Sequence, residues 1–419
     1  MTKEVKRTEQ IVLQKNEQLS LLCHNVKNLY NSANYVVRQE FFKPPPEGGH
    51  RKWIRYNHLY DQFKNSSEAR ALPAQTTQQT LKTLDKNWKA FFEAMKSRKA
   101  DKYKFLGLPK PPNYKKKDGE MTAKFTNQQV HIKDKHVIFP KRAEIDPVKT
   151  RFDDTLDLDE VRIVPYPTHY MCEIVYTIKV PTISEKFKSE KIIGIDIGIE
   201  NAITIVNNIG IDPVVIKGGV LKSINQFYNK EHARLKSVLD KQRKGQSDVG
   251  SSKLDNLTWR RNKKINSVMH QISKFVIDYA TSIGADTIVV GKNIGWKQGV
   301  NLGSVTNQNF VMIPFARLIE QIQYKAEPAG IKVILCDEAH TSRCSFLDNE
   351  EIRHHDRYIG KRISRGLFKS ASGKIINADC NGAYNIIRKV FPKAFPDGIE
   401  GVGLHPKRTT LLKIEHHKS

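Results

Sequence analysis

The run Lys191-Ile-Ile-Gly-Ile-Asp-Ile-Gly198 constrains this chain more than any other stretch of it. Its isoleucines point to both faces of a strand, so the strand is buried, and it carries one acid, Asp196, between Ile195 and Ile197. A carboxylate in such a place is costly unless a cation or hydrogen bonds compensate it.

Gly-Ile-Asp-Ile-Gly alone also fits the Gly-rich strand-turn of sugar kinases and related ATPases, so the flanking sequence has to decide. After Asp196, strand-like runs at 202–206 and 214–216 follow a very short turn at 199–201, which predicts a three-stranded antiparallel meander. Helices are expected over about 224–244 and 259–283, with the flexible stretch 245–252 between them. Ile265, Val268, Ile272, Phe275, Val276 and Tyr279 mark one face of the second helix. A strand at 287–290, a helix over 310–327 closed by Pro328 and Gly330, a strand at 331–335 and a last helix from near Asp379 complete the pattern.

That is the element order of the RNase H-like fold, in which acids far apart in sequence converge. Phosphodiester hydrolysis with paired divalent ions needs such a cluster, to hold two metals about 4 Å apart against the attacking and leaving oxygens. Oxygen ligands and a phosphate substrate favour Mg²⁺.

The first half of the chain has a different texture. Residues 1 to about 16 predict a strand, and Leu19, Leu22, Val26, Leu29, Ala33 and Val36 predict a helix that the Pro-Gly cluster at 44–49 stops. Leu72-Pro73 opens a second helix to about Lys96, with an apolar stripe through Leu81, Leu84, Trp88, Phe91 and Phe92. Basic residues then interleave with Tyr103, Phe105 and Tyr114 up to Lys117, and cations with aromatics suit phosphates and stacked bases. Short alternating apolar runs from about 122 to 181 predict a small β-rich domain, and the polar bridge 184–190 leads into the Asp196 strand.

With 419 residues, two or three folded units are expected. A formal net charge of +26, spread along the chain, calls for a polyanion. No stretch approaches the roughly 18 consecutive apolar residues of a spanning helix, and MTKEVKRTEQ has no apolar leader core. A soluble, cytoplasmic, nucleic-acid-binding protein with no membrane partner is therefore expected. Cys23, Cys172, Cys336, Cys344 and Cys380 form no Cys-x-x-Cys pair and are odd in number, which suggests reduced thiols.

Asn377-Ala-Asp-Cys-Asn-Gly-Ala-Tyr-Asn-Ile386, with Gly194-Ile-Asp-Ile-Gly198 and Thr341-Ser-Arg-Cys-Ser345, resembles the TnpB family, transposon-encoded RNA-guided nucleases related to type V CRISPR effectors. Leu29-Tyr-Asn31, Leu72-Pro-Ala-Gln75, Trp88-Lys-Ala-Phe-Phe92, Tyr114-Lys-Lys-Lys117 and Phe125-Thr-Asn-Gln128 stand in the family's usual order, so the resemblance covers nearly the whole chain. It implies a multidomain α+β protein: an RNase H-like (RuvC) α/β nuclease domain, an N-terminal β-barrel wedge domain and a helical recognition domain. The implied boundaries are 1–16 for the first wedge strand, 17–121 for the recognition domain and 122–190 for the wedge barrel. The nuclease occupies 191–340 and, as a last helix, 377–392; between these lies a nucleic-acid-binding insertion at 341–376, and 393–419 form a tail.

By the same resemblance Asp196 and Asp379 match the family's first and last catalytic acids. The intervening glutamate usually follows the strand corresponding to 287–290, yet Gly291 stands there. Glu338, after the next strand, resembles a subset in which the glutamate has moved, with Asp337 as its understudy. The insertion lacks the family's two Cys-x-x-Cys pairs: Cys344 remains of the first, and Ser370 and Ser372 lie near the second, so no zinc is expected. Arg362 and Arg365 in it are candidates for the nucleic-acid backbone, as are Tyr114, Lys115, Lys116 and Lys117. Gln75, Thr76 and Gln79 open the helix that resembles the family's reader of the flanking DNA motif.

The expected function is that of an RNA-guided, Mg²⁺-dependent endonuclease, with a transposon-end guide RNA and double-stranded DNA as partners, working as a monomeric ribonucleoprotein. The alternatives are a nuclease-deficient RNA-guided DNA-binding protein and a DNA transposase working without RNA.

Overall fold

The computed structural model describes residues 2–44, 53–182, 189–242, 251–292, 313–395 and 402–409. They divide into two compact units, one of residues 4–179 and one of residues 180–419 with 1–3.

The first unit begins with strand β1 (Thr2–Leu13) and helix α1 (Glu17–Phe42). The Asn16 side chain caps α1 by accepting from the Leu19 amide at 2.8 Å, and the helix ends at Phe42, two residues before Pro44. Two short helices missed by periodicity, α2 (Tyr56–Phe63) and α3 (Ser67–Arg70), precede α4 (Ala74–Ala100), which starts directly after Pro73. Strands β2 (Ala123–Thr126), β3 (His131–Lys133), β4 (His136–Ile138), β5 (Val148–Lys149), β6 (Leu158–Pro165) and β7 (Tyr170–Pro181) follow. Where one barrel was expected, the strands divide into a four-stranded sheet, β1-β7-β6-β2, and a three-stranded sheet, β3-β4-β5. The helical and β-rich stretches, expected as separate domains, share one hydrophobic core: Leu29, Leu84 and Trp88 pack in it with Phe125, Val161 and Ile174. The Trp88 indole is satisfied there by Asn34 Oδ1 at 3.0 Å.

The second unit is built on β8 (Ile192–Ile197), β9 (Asn201–Asn207) and β10 (Val214–Lys217), the antiparallel meander expected. Helices α5 (Gly219–Gln242) and α6 (Ser252–Ser282) come next. The second starts seven residues earlier than periodicity suggested, because Ser251 caps it through the Leu254 amide at 3.2 Å. Strand β11 (Thr287–Gly291), helix α7 (Phe315–Ala326) and strand β12 (Lys332–Cys336) follow, then three strands of the insertion, β13 (Lys361–Ser364), β14 (Leu367–Lys369) and β15 (Ile375–Asn377). The start of the helix expected from 310 lies outside the described residues. Helix α8 (Ala378–Val390) carries Asp379, and β16 (Lys407–Thr409), in the expected tail, pairs parallel with β10.

The central sheet runs β12-β11-β8-β9-β10-β16. Successive side chains of a strand point to opposite faces. Ile193, Ile195 and Ile197 accordingly join one core with α6 and α7, while Ile192 joins a second core with α8. Gly194 lies beneath α8: a Cβ there would stand 2.6 Å from the Ala383 carbonyl oxygen. Asp196, two residues on, emerges on that same face at the start of α8.

Candidate active site

Asp379 owes its place to a helix start. Asn377 caps α8 by accepting from the Asp379 and Cys380 amides at 3.0 and 3.1 Å, which fixes the first turn. Asp196 approaches the same turn because residue 382 is glycine; a Cβ there would lie 3.2 Å from Asp196 Oδ2. Asn201, from the turn that opens β9, donates to Asp379 Oδ2 at 2.6 Å. Sequence reasoning missed Asn201, although its place in the tight turn after Asp196 marks it as a neighbour of the site.

The position of Glu338 follows from the sheet. Strand β11 pairs parallel with β8 through Val290–Ile195, so Gly291 follows alongside Asp196, and Gly291 itself pairs with Cys336 of β12. Glu338, two residues past Cys336, folds back over that glycine: a Cβ on Gly291 would stand 2.1 Å from Glu338 Oε1 and 2.7 Å from its Cγ. The carboxylate thus fills the space that a side chain at 291 would enter. The turn is clamped on both sides of Glu338, since Lys389 Nζ of α8 donates to the carbonyls of Asp337 and Ala339 at 2.9 and 3.1 Å. Thr341 Oγ1 donates to the Glu338 carbonyl at 2.9 Å, and His340 takes a left-handed φ of 69°.

Electrostatics link the three acids. Burial first, then the charge of Asp379, pushes the Asp196 carboxyl up to about 7, against the pull of Arg362. Burial, then Asp196 and Asp337, pushes Glu338 up to about 8. Asp196 is the acid that both others face. The donor set is all oxygen and mutually repulsive, which suits a hard cation in chemistry. Among the described residues, however, no three His, Cys, Asp or Glu side chains stand close enough together to hold a metal ion.

Asp196 and Asp379 line an open cleft of about 1020 Å³ with Asn201, Lys217, Arg362 and Arg408; Glu338 is not part of this lining. The Arg362 guanidinium stands 3.9 Å from Asp379 Oδ1, and Arg365 donates to Glu200 at 2.7 Å. Both arginines ride on the β13–β14 hairpin of the insertion. There Cys344, the residual cysteine, donates to the Glu351 and Arg353 carbonyls at 3.4 and 3.6 Å. Carboxylates tie the loop ends instead: Asp348 accepts from the Ser345 hydroxyl and the Ala371 amide at 2.5 and 2.8 Å, and buried Glu350 from the Ser345 and Ile359 amides.

In the other unit the DNA-reading assignment of Thr76 is corrected. Its side chain is fully buried and points to Gln129 at 3.5 Å, because α4 turns that face toward the core. Gln75 is engaged with Gln128 at 2.7 Å and with Thr126, and Gln79 is half-buried one turn on. Tyr114 through Lys117 are exposed.

The fold and the site define a class: a mixed α/β protein in which an aspartate of the central sheet, Asp196, meets a second, Asp379, at the start of a helix. A family model described as a probable transposase, OrfB_IS605, matches residues 174–297, and a Cas12f1-like TNB domain matches residues 315–386. The TnpB-like protein ORF457 of Acidianus two-tailed virus is 23% identical over 399 residues, covering 86% of this chain and 80% of that protein. The CRISPR-associated endodeoxyribonuclease Cas12f1 of Sulfoacidibacillus thermotolerans is 30% identical over 222 residues, covering 50% of this chain and 48% of the relative. Among solved structures, a Cas12f1–sgRNA–target DNA complex aligns with a TM-score of 0.47 at 14% identity, covering 91% of this chain and 98% of that one. The chain is thus similar to TnpB-like and Cas12f1-like proteins.

Proposed function

We propose that this protein is an RNA-guided endonuclease of a transposable element that cuts double-stranded DNA beside a short flanking motif, working as a monomeric ribonucleoprotein. Similarity to a TnpB-like protein and to a relative named as an endodeoxyribonuclease supports the class. The observation that carries nuclease activity is the Glu338 carboxylate seated over Gly291, beside Asp196. In this reading the six-stranded sheet and its helices are the RuvC-like domain, and residues 4–179 supply the wedge and recognition elements.

Asp196, Glu338 and Asp379 are the residues that would hold Mg²⁺. Bound there, the ions would supply activation of water and charge stabilisation at the scissile phosphate. Asn201 fixes Asp379 Oδ2, so that Oδ1 faces Arg362. With carboxyls raised to about 7 and 8, Asp196 and Glu338 hold protons near neutrality that a cation has to displace. Lys217, Arg362 and Arg408 give the cleft the charge to receive a phosphate backbone.

Purified protein with a transposon-end guide RNA and Mg²⁺ is expected to cleave matching, correctly flanked DNA. Intact DNA under those conditions sinks the nuclease assignment. The separation of the acids favours one second reading, a protein that binds DNA under RNA guidance without cutting it. Asp196→Ala separates the two: a nuclease loses cleavage and keeps binding, whereas a binding-only protein shows no difference from its parent.

A further inference from the structure

We propose that residues 112–121 form a pre-ordered cationic strip, strapped along α1, that docks the backbone of an unpaired segment of the guide RNA. The assignment of an RNA partner rests on the function proposed above; the strap itself is a feature of the first unit alone.

The segment runs antiparallel to α1 and is fastened at successive turns. Arg38 Nη1 and Asn34 Nδ2 donate to the Pro112 carbonyl at 2.8 and 3.2 Å. Asn31 exchanges two bonds with the Lys115 main chain, at 3.0 and 2.9 Å. Lys27 Nζ donates to the Lys117 carbonyl, and the Met121 amide donates to the Cys23 carbonyl at 3.0 Å. From Cys23 to Arg38, α1 rises about 22 Å. The nine steps from Pro112 to Met121 reach at most about 30 Å fully extended, so the segment lies nearly straight, apart from the turn that Gly119 closes on Lys116.

A merely solvated lysine run needs no such anchorage. Here the main chain is pinned while the side chains from Asn113 to Asp118 stay exposed. One anchor is expensive: Lys27 is 3% exposed, and its ammonium meets a carbonyl and His24. Lys115, Lys116 and Lys117 stand exposed in a row, so this part of the strip concentrates positive charge that an anion would neutralise. Tyr114, 41% exposed, carries the Arg38 guanidinium 5.3 Å from its ring centroid. An exposed ring on a strip one strand wide suits unpaired bases, which a duplex keeps stacked away from it.

The test is equilibrium binding of the full-length protein to its fluorescent guide RNA across a salt series, without Mg²⁺, with a DNA duplex of equal length as the second probe. Replacing Lys115, Lys116 and Lys117 by Gln is expected to reduce the slope of log affinity against log salt by about 2, at roughly 0.7 per lost contact. Lys27→Met, which keeps the stem and removes the anchor, is expected to weaken RNA binding while raising amide hydrogen exchange at 113–117. A parental salt slope in the triple variant overturns the strip, as does an equal loss of affinity for the duplex. Failure of the parent to bind RNA at all defeats the RNA-guided reading instead, so the two failures are distinct.

Discussion

At the scale of single residues, the pairing of Gly291 with Glu338 decides whether this site is complete. The direction of the missing Cβ means that an acid placed at 291 would enter the space that Glu338 now fills. Glu338→Ala should lower cleavage by at least about 100-fold, as expected when a metal-holding acid is removed. Gly291→Glu alone should also fail, because two carboxylates cannot share that space. Together the two substitutions should recover a measurable part of the rate; no recovery, by single-turnover cleavage, would remove the case for a relocated acid. The raised carboxyls predict a pH effect as well. Their folded pKa values, about 7 and 8, exceed the unfolded values near 4, so the folded state binds more protons between pH 4 and 8. Their contribution to stability is therefore present at low pH and lost as pH rises through 7 to 8. The metal-free protein should melt lower at pH 8.5 than at pH 5.5, by an amount on the order of 5 °C, and Glu338→Gln should flatten the decline. The two aspartates were legible because each sits in a motif. Glu338 was legible as an acid at a strand end, but the direction of its carboxylate depends on strand register, which no local pattern encodes. Thr76 was misassigned although Thr80, Leu84 and Trp88 at helical spacing already pointed its face inward.

At the scale of elements, α8 organises the site. Its N-terminus presents Asp379, Gly382 admits Asp196, and further along Asn381 and Asn385 hold the start of the insertion through the Cys344 and Thr341 carbonyls at 2.8–2.9 Å. Lys389, near the C-terminal end, clamps the turn that aims Glu338. Lys389→Met keeps the aliphatic stem and loses both bonds. It should slow cleavage on the order of 10- to 100-fold through misplacement of Glu338, with little change in the affinity for DNA; an unchanged rate would show that the turn holds itself. The meander, the long helices and the β11–α7–β12 succession were legible from periodicity, because each buries a continuous apolar face. The strand β16 was not: Lys407-Arg-Thr409 is polar and short, and edge pairing with β10 leaves no alternation to read. The short strands of the insertion escaped for the same reason, since polar contacts around Asp348 and Glu350 replace an apolar core.

At the scale of the whole molecule, two compact units replace the finer division suggested by the sequence. The boundary expected at 190/191 falls at 179/180, near the end of β7 and ahead of the polar bridge. The helical and β-rich stretches look like separate domains in sequence because their periodicities differ, 3.6 against 2. Yet α1 and α4 pack on β2 and β6, and Trp88 and Phe125 lie in one shared core. Units with separate cores unfold as separate cooperative blocks unless the contacts joining them are extensive. Calorimetry on the metal-free, RNA-free protein should therefore resolve two transitions. Trp88→Ala removes a fully buried indole that bonds to Asn34, at a cost of about 3–5 kcal/mol, and should lower one transition alone. Gly194→Val drives a side chain into the Ala383 carbonyl and Ile387 of α8 and should lower only the other. A single transition that moves with both substitutions would mean that the two cores fold as one, and cleavage would then be sensitive to core changes in residues 4–179 that never touch the acids.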